Sequence, residues 1–119
     1  MKRREVFGGT DKRVIDIIVQ TKIDCIDHTG YRFECVIQIG KPQQAPTGEW
    51  ACPVAMLGLE KGLPSVRGED SLQSVCLALT LVRQLLTHFV ENGGRILCAG
   101  TDDEYSLDAT FSGIDGGPT

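Results

Sequence analysis

Hydrophobic and polar positions alternate from Arg13 onward. Ile15, Ile17, Val19, Thr21 and Ile23 fall on one side of an extended chain, and Val14, Asp16, Ile18, Gln20 and Lys22 on the other. Successive strand residues point to opposite faces, so this period of two, carried by β-branched residues, predicts a strand with one buried face. Asp27-His28-Thr29-Gly30 is turn chemistry. The alternation then resumes with Tyr31, Phe33, Cys35, Ile37 and Ile39 inward and Arg32, Glu34 and Gln38 outward, which predicts a hairpin. Lys41 to Gly48 is a loop rich in Pro, Gln and Gly. Trp50 to Leu59 is expected to be a third strand, with Trp50, Cys52, Val54 and Met56 on one face. Pro53 cannot donate to a ladder, which puts that strand at a sheet edge or gives it a bulge. A brief fourth strand is expected within Leu63 to Arg67.

The period changes at Asp70. Asp70 can cap a helix, Gln73 stands three residues on as its reciprocal partner, and Asn92-Gly93-Gly94 supplies a left-handed exit. At 100° per residue, Leu72, Val75, Ala78, Leu79, Leu81, Val82, Leu85, Leu86, Phe89 and Val90 fill about half the circumference. Gln73, Cys76, Leu77, Thr80, Arg83, Gln84, Thr87, His88 and Glu91 fill the rest. An arc of about 180° exceeds the roughly 100° stripe of an ordinary surface helix. Either the sheet curls around this helix or a second chain covers part of it. The polar interruptions at Gln73, Arg83, Gln84 and His88 argue for a core helix and against a membrane span. Arg95 to Ala99 has strand character, and Tyr105, Leu107, Phe111 and Ile114 are expected to dock the following segment at least in part.

Together these elements predict an α+β fold: an antiparallel meander of three to four strands, one long amphipathic helix on one face, and a short C-terminal strand. Three regions are expected: a flexible basic arm over 1–12, one domain over 13–100, and an acidic, partly ordered tail over 101–119. The chain has 119 residues, enough for a single core without metal or disulfide staples.

Charge sharpens the picture of the two ends. Residues 1–13 carry Lys2, Arg3, Arg4, Lys12 and Arg13, whereas 101–119 carry Asp102, Asp103, Glu104, Asp108 and Asp115 with no base. These are two solvated ends, or an arm and a tail that meet within or between chains. A net charge of −4 argues against nucleic acid as a partner. The chain has five cysteines, an odd number, and Met1-Lys2-Arg3-Arg4 has no apolar run behind it. Unpaired thiols without an export signal point to a cytoplasmic protein.

Candidate chemistry is sparse. Asp24, Asp27 and His28 gather at the first turn, where carboxylate and imidazole could coordinate a divalent metal or simply form a polar loop. Asp102-Asp103-Glu104 lacks the alternating donors and closing glutamate of a calcium loop. A Cys–His nucleophile needs a base within reach of the thiol. His88 lies three turns from Cys76 and on another side of the helix, which leaves Cys25 with His28. No phosphate-cradling glycine motif occurs. Trp50 is either a binding anchor or a plug in a small core.

Two stretches carry a resemblance. Trp50-Ala51-Cys52-Pro53 leads to Gly58-Leu59, and Val66-Arg67-Gly68-Glu69-Asp70-Ser71-Leu72-Gln73-Ser74-Val75 continues through Ala78-Leu79 to Gly94-Arg95-Ile96. Over about residues 14–100 the chain resembles a family of small, uncharacterised bacterial domains with a tryptophan-bearing strand, a G-x-D-[S/A]-L-Q helix start and a glycine exit into a final strand. The resemblance implies a cytosolic antiparallel α+β domain and transfers no catalytic residue.

Two functions are compatible with these residues. The first is a non-enzymatic protein-interaction module, a homodimer of chaperone, immunity or antitoxin type, acting on itself and a further protein, with no cofactor, nucleic acid or membrane. Its surface would draw on Val14, Ile18, Val36, Ala55 and Leu57 of the outer sheet face, with Trp50, Leu77 and Leu81. The second is a small-molecule or divalent-metal-binding domain with weak hydrolytic activity, using Asp24, Asp27 and His28 or the acids Asp102 to Glu104.

Overall fold

The structure, a computed structural model, describes residues 14–112. The hairpin forms as the alternation predicts, from β1 (Ile17–Ile26) and β2 (Arg32–Gly40). Its turn closes because Asp27 accepts the Thr29 and Tyr31 amides at 2.9 and 3.1 Å, while Gly30 takes a φ of 93° that suits glycine. The next strand region is two elements, β4 (Trp50–Cys52) and β5 (Val54–Leu57), separated by Pro53. A short β3 (Gln43–Gln44) precedes them, inside the segment expected to be loop, and β6 (Val66–Gly68) follows. After the helix α1 (Ser71–Glu91) come β7 (Arg95–Cys98) and a one-turn helix α2 (Leu107–Thr110), which the sequence pattern did not announce.

All strand pairs are antiparallel. Four strands form one sheet in the order β5-β2-β1-β7, and β3-β4-β6 form a second. Pro53 is where the chain passes between them. It cannot donate, but its carbonyl accepts the Gly40 amide at 2.9 Å, so the ladder is bent there. This curling covers much of the wide apolar arc of α1, since the helix meets both β4 and β6 of the small sheet and β7 of the large one, while Leu72 and Val90 near its two ends stay exposed. One described helix, α1, is long and apolar enough to cross a membrane by length and composition. Its Ser74, Ala78, Val82 and Leu86, spaced by four, are buried in the fold, as in a core helix.

The core joins inward residues of the large sheet (Ile23, Cys25, Cys35, Ile37, Ile39, Val54, Met56, Ile96) to Cys52, Ala78, Val82, Leu86 and Phe111. Ser74, absent from the apolar arc, is fully buried because β6 approaches closely: a Cβ on Gly68 would lie 2.7 Å from the Ser74 amide nitrogen. The helix cap also differs in one detail. Asp70 accepts the Gln73 amide at 2.7 Å, but the Gln73 side chain accepts from Glu69 at 2.6 Å, one residue before the expected partner.

The start of β1 departs most from the alternation. Ile17 pairs with Gly40 and Val19 with Ile39, so Ile18 is an extra residue in the ladder. A bulge reverses the facing of everything before it. Ile17 is therefore in register with Gly40, on the outer side with Gln38 and Val36, instead of sharing the inner face with Val19. Ile15, Ile17 and Val19, expected to be buried, are 78, 41 and 49% exposed.

Beyond β7 the chain stays attached to the body. Tyr105 and Leu107 pack against the core, and Phe111 is buried in it. The acidic region is thus part of the fold as far as residue 112, whereas Ile114 and the 1–12 arm lie outside the described residues.

Candidate functional site

The turn cluster is occupied by structural work. One Asp24 oxygen accepts from Arg32 Nη2 at 2.8 Å, from Arg32 Nε at 3.2 Å and from the Gly100 amide at 3.1 Å. Arg32 also donates to the Thr101 carbonyl at 2.6 Å and to Asp102 at 3.2 Å, tying the hairpin to the loop after β7. The Arg32 hydrogen bond, with the Gly100 amide second, holds the Asp24 carboxyl below the usual carboxylate range. The hydrogen bond from Thr29 does the same for Asp27. His28 is exposed on the turn while Cys25 is fully buried on the inner sheet face, so the two do not form a nucleophile–base pair. Among the described residues no group of three or more His, Cys, Asp or Glu could hold a metal ion. Asp102 pairs with Arg32, and the Asp103 carbonyl accepts the Cys98 amide at 2.8 Å, so these acids build a turn.

Cys25, Cys35 and Cys52 are buried, Cys98 is half-buried and Cys76 is exposed. The neighbouring Cys25 side chain and burial push the Cys35 thiol upward, and burial alone raises Cys52. Both stay protonated and serve as small apolar core groups.

The residues expected to form one interaction surface fall in separate places. Trp50 is half-buried on β4, outside the buried core cluster, so it is not the core's plug. Leu81 packs against the core, whereas Leu77 is exposed on α1. Val36 and Leu57 are cross-strand neighbours on the outer face of the large sheet, both half-buried. Gln38 pairs with Ala55 on that face, and both are buried. Gln38 donates to Gln20 at 2.8 Å, but its own carbonyl oxygen has no hydrogen-bond partner. An unpaired buried acceptor is unusual in a native fold. Ile17 and Ile18 extend this face at its open end.

A cleft of about 390 Å³ opens beside that end, at the seam between the two sheets. Val14, Pro53, Val54 and Leu63 give it an apolar lining. Asp16, Gln43 and Ser65 supply the polar groups. Val14 lies so near Gly40 that a Cβ there would come within 2.5 Å of it, which is why glycine ends β2. Asp16 has a φ of 58°, the one positive value outside glycine among the described residues, and its carbonyl accepts the Lys41 amide at 2.9 Å. The apolar run Ile17-Ile18-Val19 was the available signal that alternation fails here. Leu63, Gln43 and Ser65 come from segments whose approach only the folded sheets create.

The fold and its surfaces define a small antiparallel α+β domain built around one long helix. Residues 24–109 match the family model of DUF6968, a domain of unknown function, and the chain belongs to that family. No curated protein and no solved structure matches the chain.

Proposed function

We propose that the protein is a non-enzymatic interaction module that pairs with a second copy of itself through the outer face of the four-stranded sheet. One observation carries this: the outer face presents half-buried Val36 and Leu57, continued by Ile17 and Ile18 at 41 and 54% exposed. A two-fold pairing would bring identical patches together, which closes the assembly. Three buried thiols suit a reducing compartment.

Sedimentation equilibrium tests the proposal. The wild-type chain should sediment as a dimer at micromolar concentration. Ile18→Lys, at a 54% exposed position, should give a monomer with an unchanged circular dichroism spectrum. A wild-type chain that sediments as a monomer overturns the proposal.

A further inference from the structure

We infer that the cleft at the seam of the two sheets is a binding site for a small amine with an apolar body. Three features of the cleft lead there, and none is used by the pairing face. Its volume, about 390 Å³, lies within the range of small-molecule sites. Its lining by Val14, Pro53, Val54 and Leu63 favours an aliphatic or aromatic body over a sugar or a phosphate. Among the described residues the charged group that lines it is Asp16, a carboxylate, which favours a cation over an anion of the same shape.

The placement of Asp16 is what makes this more than an apolar dent. The Asp16 backbone sits in the left-handed region, which L residues other than Asn, Asp and Gly avoid. It is held there by its own carbonyl, which accepts the Lys41 amide from the far side of β2. Among the described residues the Asp16 carboxylate has no hydrogen bond or ion pair, in contrast to Asp24 and Asp27, each of which accepts three hydrogen bonds on one oxygen. The Asp16 carboxylate, at the wall of the cleft and without a described partner, is therefore placed to pair with a cationic ligand. Gln43 and Ser65 can accept the remaining ammonium hydrogens, since an ammonium brings three donors to the site.

The site is independent of self-association. Ile18 does not line the cleft, so the Ile18→Lys chain keeps the cleft whether or not it pairs. Val14, Ile15 and Asp16 precede the span that matches the family, whereas Gln43, Pro53, Val54, Leu63 and Ser65 lie within it.

The test uses phenethylammonium as probe and 3-phenylpropanoate as its anionic counterpart, with methyl-resolved NMR titration of the full chain. Phenethylammonium should shift the Val14, Val54 and Leu63 methyl signals saturably, and 3-phenylpropanoate should not. Asp16→Asn keeps the shape and tolerates the same backbone, and should weaken phenethylammonium binding about tenfold. Leu63→Trp should fill the cleft and abolish the shifts, while Ile18→Lys should bind as the wild type does. The inference is overturned by the absence of saturable shifts, by equal binding of the anion, or by undiminished binding to Asp16→Asn. A dimeric wild type without amine binding would sink the amine site alone, and a monomeric wild type that binds the amine would sink the pairing alone.

Discussion

Asp24 shows how a residue with apparent chemistry can be committed to architecture. Its carboxylate receives both Arg32 nitrogens and the Gly100 amide, joining β1 to the loop beyond β7. A carboxyl whose folded pKa lies below its unfolded value stabilises the fold at all pH above the unfolded value, near 3.8. That contribution is lost as pH falls through the depressed folded value. Asp24→Asn should therefore lower the melting temperature at neutral pH and narrow the gap to wild type in strong acid, as calorimetry across pH 2 to 7 would show. The sequence grouped Asp24 with Asp27 and His28 at one turn, whereas Asp24 lies within β1 and the turn begins at Asp27. The sequence could not show that Arg32 would consume Asp24, because Gly100 and Asp102 arrive only through the pairing of β7 with β1. The buried state of Ser74 was equally hidden, since it follows from how closely Gly68 approaches the helix.

At the level of elements, the helix was the most legible part of the chain. Its apolar spacing, the Asp70 cap and the Gly93 exit with a φ of 96° all appear in the structure. Asp70→Ala removes the acceptor for the Gln73 amide and should cost about 1 kcal/mol in urea unfolding. The two sides of α1 predict opposite outcomes for one change. Leu86→Ala at a fully buried site should cost about 2–5 kcal/mol, whereas Leu77→Ala at an exposed one should stay within about 0.5 kcal/mol. The strands were legible in their middles and not at their ends. Hydrophobic alternation places Ile23 and Cys25, and the run Ile17-Ile18-Val19 signals that it fails near the start of β1 without saying which residue is inserted, so the reversed facing of Ile17 could not be read from it. Pro53 gave notice of an irregularity, and the structure makes it the passage between two sheets.

The whole molecule is held shut from both directions of the chain. The class α+β, the hairpin and the single long helix could be read from periodicity, and the docking of the tail from its apolar residues, whereas the split into two sheets could not. Phe111 is 6% exposed and belongs to the core, and Arg83 reaches its carbonyl at 3.2 Å. Phe111→Ala should therefore destabilise the entire domain by about 3 kcal/mol, in a single transition rather than as loss of a loosely attached end. Coincident fluorescence and circular dichroism melts of that variant check this. The cleft was the least legible feature, since it is assembled from segments distant in sequence, whereas Val36, Ala55 and Leu57 of the outer face could be read from the alternation.

The strand order β5-β2-β1-β7 has a consequence for synthesis. The first strand made waits for the last one, because β7 completes the β1 edge only after the long helix has been translated. Until then a ribosome-bound chain exposes an unmatched row of backbone groups and the oily side of a helix whose cover is unfinished. Fragments released early should therefore clump, and productive folding should begin only once Phe111 has cleared the exit tunnel.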